Sequence, residues 1–458
     1  MAPRISGKGG VDMTVGGVVA HLLRFALPLL VGNFFQQLYN TVDAWVVGNY
    51  VSNEAFSAVG TVSPVIFMLI GFFNGFSSGS SVVISQYFGA KQYDRVNDAA
   101  HTAITATFLL GVLFTGIGIL ITPSMLRLMK TPPEVMPEST AYLQIYFLGI
   151  LGLMLYNIGS GILRAVGDSR RPFYFLVFSA VVNIALDLLF VLRFRLGVRG
   201  VAYATILSQA LSALLVFATL WWSNSCVQFR FRRARLHRDL LKKILRVGLP
   251  AAIQISLTSF SNVFVQSYIN HFGTDYMSGW GAYIKLDQFF LLPMQSVALA
   301  LTTFVGQNLG VNNLRRVRQG VRSALLLAEA CTFVTVAAAV LGAPAIVGFF
   351  NDKPEVVQAG TMYLRWVAPF YLVHCIGQTY IAALRGAGNT KVPMVILLTS
   401  YVVLRQLYLF VMANFIANEV IPIAMGYPIG WIAAALITFC YYRTVDLART
   451  RVVETPDG

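Results

Sequence analysis

Apolar residues arrive in long blocks along this chain, and polar residues gather in the short gaps between them. Five runs without Asp, Glu, Lys or Arg (55–90, 99–126, 200–229, 247–274 and 288–314) each exceed the roughly 20 residues that cross a bilayer as helix. Barrel strands would alternate polar and apolar over about 10 positions, whereas these runs are apolar nearly all round. The pattern therefore predicts an all-α membrane protein of twelve spans, at 18–46, 55–84, 99–122, 140–164, 172–194, 200–223, 247–271, 279–306, 321–343, 361–384, 393–416 and 420–442.

The blocks repeat. Shifted by 221 or 222 positions, LLRFALP at 22–28 meets ILRVGLP at 244–250, SQYFGA at 85–90 meets GQNLGV at 306–311, and LRAVGDSRRP at 163–172 meets LRGAGNTKVP at 384–393. Six spans per half is an even number, so both halves enter the membrane in the same sense, as in transporters built from parallel repeats. The domain reading is a disordered cytoplasmic N-terminus at 1–15, an N-lobe at 16–223, a basic linker at 224–243, a C-lobe at 244–443 and a cytoplasmic tail at 444–458. The halves are pseudo-symmetric in pattern and not in chemistry: Asp43 falls on Val265, Asn183 on Leu404 and Asp187 on Tyr408.

Charge changes the picture in one respect, orientation. Of 34 Lys and Arg, 25 lie on the side of the termini; seven lie opposite (Arg127, Lys130, Arg193, Arg195, Arg199, Lys353, Arg365), and Lys285 and Arg405 fall inside spans. The positive-inside rule then places both ends in the cytoplasm, in a multi-pass inner-membrane protein. The net charge of +15 is accounted for by this topology signal, densest in FRFRRARLHRDLLKK, and needs no nucleic acid. MAPRISGKGG is polar and the first span is too long for a signal peptide, so no cleavable leader is expected. The four cysteines are scattered, without metal or redox spacing.

Polar groups inside the spans are the candidate chemistry. A carboxylate near the bilayer centre costs at least about 2.5–3.5 kcal/mol, so each is a functional hypothesis. Asn33, Gln36, Asn40 and Asp43 recur along one face of the first span, with Tyr39 beside them, and Asn183 and Asp187 project together from the fifth. Asn157 and Thr205 add neutral oxygens. Two carboxylates with amide and hydroxyl oxygens suit a hard monovalent cation or a shared proton, and like charges in low dielectric disfavour joint ionisation. The competing reading is a hydrogen-bond network that only holds helices together. In the second half, Lys285 and Asp287 are two residues apart and point apart, with a structural ion pair to other helices favoured over substrate recognition or gating. Asn262, His374 and Gln378 are further cavity candidates, His374 also fitting a hydrogen-bonded core position. Arg405 bridges helices or snorkels, and Glu329 reads as solvated.

On these residues the chain resembles the multidrug and toxic compound extrusion (MATE) family of twelve-span antiporters. The likeness runs through Leu-Pro near the start of each half, YNTVDAWVVG, QYFGAK, LRAVGDSRRP and the Asn183/Asp187 pair. It implies a V-shaped bundle with a central cavity that rocks between inward- and outward-open forms, a monomer exporting amphipathic or cationic small molecules in exchange for H+ or Na+, with no other cofactor. The family's N-lobe cation site uses a first-span Asp, a fifth-span Asn and Asp and a sixth-span Thr, which here are Asp43, Asn183, Asp187 and Thr205. One branch also carries acids in the seventh and tenth spans. This chain has Gln254, Thr258, Asn262 and Gln266 in the seventh and His374 and Gln378 in the tenth, which leaves a C-lobe cation site without its carboxylates.

The nearest alternative is a lipid-linked oligosaccharide flippase of the same superfamily, which would need a basic cavity; only Lys285 and Arg405 qualify. An integral-membrane enzyme would need a nucleophile with its base, or a metal cluster, and the expectation is that no HExxH, GxSxG or Cys/His cluster supplies one. A static scaffold would not explain acids confined to one half.

Overall fold

The computed structural model describes residues 11–51, 53–222 and 226–453. The expected segments at 1–10, 223–225 and 454–458 lie outside the described residues. Twelve helices are long and apolar enough to span a membrane: Val18–Gly48, Ser57–Gly89, Tyr93–Leu128, Met136–Ala165, Arg170–Arg193, Gly197–Trp222, Arg238–Asn270, Thr274–Gly310, Leu314–Leu341, Pro354–Gly386, Lys391–Ile416 and Val420–Thr444. They match the predicted spans one for one and overrun most of them. The helices continue into polar flanks such as Tyr93–Asp98 and Leu314–Gly320, where hydropathy falls but backbone hydrogen bonding goes on. No strand occurs among the described residues.

Chain contacts gather into two units. One holds Val31–Leu249 with Val11 and Asp12; the other holds Met13–Leu30 and everything from Pro250 onward. The divisions fall beside Pro28 and at Pro250, inside the first and seventh spans. An interior proline removes one helical hydrogen bond and crowds the preceding turn, so these are natural places for a helix to change partners. The leading turns of both spans are thus counted with the other unit, whereas the sequence boundaries kept each span whole.

The turns that close the repeats are alike in backbone. Lys91 and Asn312, 221 residues apart, are both left-handed at φ 57° and 56°, and Gly167 and Gly388 sit at φ 89° and 92°. The hydrogen bonds repeat too: Gly167 N–H donates to Arg164 and Asp168 N–H to Leu163, as Gly388 does to Arg385 and Asn389 to Leu384. The duplication seen in letters is therefore a duplication of conformation.

Segments outside the spans pack on them. In the first unit the linker lies on the third span: Asn97 Nδ2 donates to the Cys226 carbonyl at 2.7 Å, Arg230 N–H donates to His101 Nε2 at 3.0 Å, and the Phe229 ring stacks on His101. In the second unit Met13, 1% exposed, donates its N–H to Gln307 Oε1 at 2.9 Å, while Arg316 Nε donates to its carbonyl at 3.0 Å. A buried methionine and the backbone bonds at Met13 and Val15 hold residues 13–15, while Val11 N–H donates to the Val166 carbonyl in the first unit. Val452 and Val453 of the tail are buried as well.

Small residues set the distance between the fourth and sixth spans. A Cβ added at Gly152 would stand 3.2 Å from the Ala210 Cα, and one at Gly149 would meet Ile206 at 2.2 Å. Without a lipid-excluding drive, helices in membranes associate through such close approach. Gly152→Leu is expected to force the pair apart, cost about 1–3 kcal/mol and lower the thermal midpoint of the purified protein by several degrees, as followed by intrinsic fluorescence. An unchanged midpoint would show the helices free to separate at no cost.

Candidate functional site

The first unit brings three spans to one buried polar point. Ser179, one turn before Asn183, donates its hydroxyl to the Ser208 carbonyl at 2.8 Å, and Ser208 in turn donates to the Thr205 carbonyl at 2.9 Å. This stitch fixes the fifth span against the sixth, so that Asn183 (1% exposed), Asp187 (0%) and Thr205 (7%) share one buried face. Immediately after Asp187 the helix loosens into a π turn, Leu189–Arg193, a backbone form that recurs at functional sites. Asp43 of the first span reaches this face, and its carboxyl adjoins that of Asp187.

Beyond the contact between the two carboxyl groups, these polar atoms lack the partners that burial demands. Oδ1 of Asp43, both carboxyl oxygens of Asp187 and both polar atoms of Asn183 are buried without a hydrogen-bond partner among the described residues. Leaving a buried polar atom unsatisfied costs about 1–3 kcal/mol, more when charged. Thr205 donates its hydroxyl to the Val201 carbonyl at 2.9 Å, which spends its hydrogen and leaves its oxygen lone pairs free. An acceptor-rich, donor-poor cluster of this kind fits a hard cation or a proton shared between carboxyls. Among the described residues no group of three or more His, Cys, Asp or Glu could hold a metal ion.

Two tyrosines, Tyr39 and Tyr142, lie beside the pair, with Tyr146 next to both. Tyr39 lies beside Asp43 and within hydrogen-bonding reach of Gln36, while Tyr142 is next to Asp43, Asp187, Tyr146 and Tyr39, and Tyr146 pairs with Gln209. Sequence reasoning passed over Tyr142 and Tyr146, although their i, i+4 spacing in TAYLQIYFLG puts both on one face of the fourth span by the rule that singled out Asn183 and Asp187. Two of the sequence candidates are not in this cluster. Asn40 donates to Gln37 Oε1 at 3.2 Å. Asn157 donates to the Leu153 carbonyl at 3.0 Å, and its own carbonyl accepts from Ser77 Oγ at 2.7 Å, a tie between the fourth and second spans. Contrary to the expectation that GxSxG is absent, Ser77 sits in GFSSG, which has that spacing of a hydrolase nucleophile. That nucleophile needs a sharp strand-to-helix turn, whereas Ser77 lies inside the continuous helix Asn53–Gly89 with its hydrogen given to Asn157.

In the second unit the polar candidates form a different arrangement. Asp287 Oδ1 accepts from the phenols of Tyr371 at 2.5 Å and Tyr283 at 3.4 Å. Lys285 is exposed, with its ammonium 5.9 Å from the Phe350 ring centre. Among the described residues neither forms an ion pair, so the expected pairing with other helices is replaced by tyrosine donors for one and an aromatic face for the other. His374 is a core histidine: its Nδ1 lies 3.2 Å from the Tyr401 hydroxyl, its ring lies against Trp431, and Gln378 shares Tyr401. Asn262 is exposed, whereas its neighbour Ser261 is the buried anchor. Arg405, 2% exposed, donates through Nη2 to Ser261 Oγ at 2.7 Å and stacks over Tyr427 at 4.9 Å, so it bridges the eleventh span to the seventh and twelfth. Glu329 sits midway along the ninth span with Oε1 buried beside Cys375, not solvated at its end, because the helix begins at Leu314.

Comparisons with known proteins agree with the duplicated architecture. The MatE family model matches twice, over residues 28–189 and 250–411. The chain is 31% identical over 428 residues to the probable multidrug resistance protein YoeA of Bacillus subtilis (strain 168), covering 92% of each, and 29% identical to YpnP of the same organism, covering 94% of this chain and 96% of that one. Its fold is similar to that in the crystal structure of MATE in complex with MaL6, with a TM-score of 0.91 at 24% identity, over 95% of this chain and 98% of that one. Two family-model matches, one on each half of a twelve-span chain, and a relative alike over nine-tenths of both lengths make this protein a member of the MatE family.

Proposed function

We propose that this protein is a secondary active exporter of amphipathic or cationic small molecules, driven in exchange for H+ or Na+, with Asp43, Asn183, Asp187 and Thr205 as the site of the coupling ion. One observation carries the reading: two adjoining carboxyl groups within the first unit, close enough to share a proton and without another hydrogen-bond partner for the Asp187 oxygens among the described residues. Such a group is costly unless something that comes and goes neutralises it. Relatives named as multidrug resistance proteins support the substrate class. The coupling is energetic: a captured cation stabilises one facing state, and the exported molecule competes with it or favours the other. The positive-inside count supports cytoplasmic termini, and the protein works as a monomer under this reading.

The flippase alternative asks for free basic groups within the spans. Arg405 is engaged by Ser261 and Tyr427, and Lys285 lies over Phe350, which weighs against it. The test is transport of a fluorescent organic cation by the full chain in liposomes, with sodium and proton gradients imposed separately. Accumulation is expected under one or both gradients. Movement of the dye down its own gradient only, unaffected by either ion, would remove coupling from the proposal.

A further inference from the structure

We propose that the start of the ninth span carries a binding site for the phosphate headgroup of an anionic phospholipid, built by Arg315, Arg318 and Arg322. The three arginines are exposed and line a shallow cleft of about 450 Å³ together with Leu314 and Gln319. Among the described residues none of them is in an ion pair. Their spacing of three and four places them on one helix face. The titratable neighbour from another span is Tyr442, beside Arg318, whose neutral phenol leaves the positive charge uncompensated.

Deeper along the span, the same face is exposed and apolar, as acyl chains beside a bound headgroup require. Leu326 and Phe333, 64% and 63% exposed, continue the line of Arg315, Arg318 and Arg322 toward the middle of the span, all within about a quarter turn on a helical wheel. Glu329 shares that face, with its Oε1 turned inward beside Cys375. A membrane helix that is cationic at its end and apolar and exposed beyond it matches a diacyl lipid end to end: phosphate at the guanidinium groups, acyl chains along Leu326 and Phe333. Arginine suits this role because its planar fork pairs two oxygens of a phosphate at once. The ninth span begins two crossings after the basic linker, on the same side of the membrane, which the positive-inside rule makes the leaflet rich in anionic lipid.

The test uses full-length, delipidated protein mixed with equal amounts of phosphatidylglycerol and phosphatidylcholine of the same chain length, with retained lipid read by native mass spectrometry. Wild type is expected to retain phosphatidylglycerol preferentially. The R315Q/R318Q/R322Q variant is expected to lose that retention by about tenfold or more, and R318Q alone to lose part of it. R232Q/R233Q/R235Q, which removes the same charge from the linker, is expected to bind as wild type does, and a melting profile for each variant separates lost binding from lost fold. Equal retention by wild type and the folded triple variant would overturn the proposal. So would the absence of preference over phosphatidylcholine, or displacement of the bound lipid by inorganic phosphate alone, which would make this a simple anion site.

Discussion

Asp43→Asn is expected to abolish gradient-driven export while the protein inserts, folds and melts as wild type does. Asparagine keeps the size of aspartate and can accept a hydrogen bond, so packing around the first span changes little. It cannot carry charge, release a proton or offer an anionic oxygen to sodium. Moving a two-state transporter from 1:99 to 99:1 takes about 5.5 kcal/mol of differential cation binding, and an amide supplies only a fraction of that. Exchange should therefore fall by about a hundredfold or more, into the background of empty liposomes. The measurement is dye efflux under imposed ion gradients, with insertion checked by yield and thermal midpoint. Coupled transport at the wild-type rate would remove Asp43 from the mechanism, and with it the reading of the acidic pair.

How much of this was legible in the sequence depends on what kind of signal each feature leaves. The twelve spans were readable because burial in lipid demands long apolar helices, and the duplication because turn geometry constrains letters: a left-handed Gly167 and Gly388 keep their place in LRAVGD and LRGAGN. The carboxyl pair stood out because charge within a span is expensive. Tyr142 and Tyr146 did not, since an aromatic residue in an apolar helix has two ordinary fates, core or lipid, and only the tertiary packing of the fourth span brings Tyr142 beside Asp43 and Tyr146 beside Tyr142. Ser261 was passed over for Asn262 for a related reason. One residue of helix is about 100° of rotation, and composition cannot say which of two polar neighbours faces Arg405. Pro28 and Pro250 recur in the repeated LLRFALP and ILRVGLP, but that the leading turns of each span are counted with the other unit is a long-range fact without a local signature.

The second large effect is expected at Asp187, and its neighbour Thr205 separates the two coupling ions. Asp187 is 0% exposed, and apart from the adjoining Asp43 its carboxyl oxygens have no hydrogen-bond partner among the described residues, so Asp187→Asn removes the more buried carboxyl of the pair. Export should fall about a hundredfold under either gradient, because both a shared proton and a bound sodium need that charge. Thr205 contributes differently. Its hydrogen is already given to the Val201 carbonyl, so its remaining use is as a neutral oxygen ligand. Sodium is held by several oxygens at once, and Thr205→Ala should raise the sodium concentration needed for half-maximal exchange by about tenfold, the equivalent of some 1.4 kcal/mol. A proton resides on a single carboxyl oxygen and needs no such ligand, so proton-driven export in the same variant should stay within about twofold, since Thr205 then acts only through the packing around the carboxyls. Loss under the sodium gradient alone would assign sodium to this site; equal loss under both would mean that Thr205 supports the helix pair and not the ion.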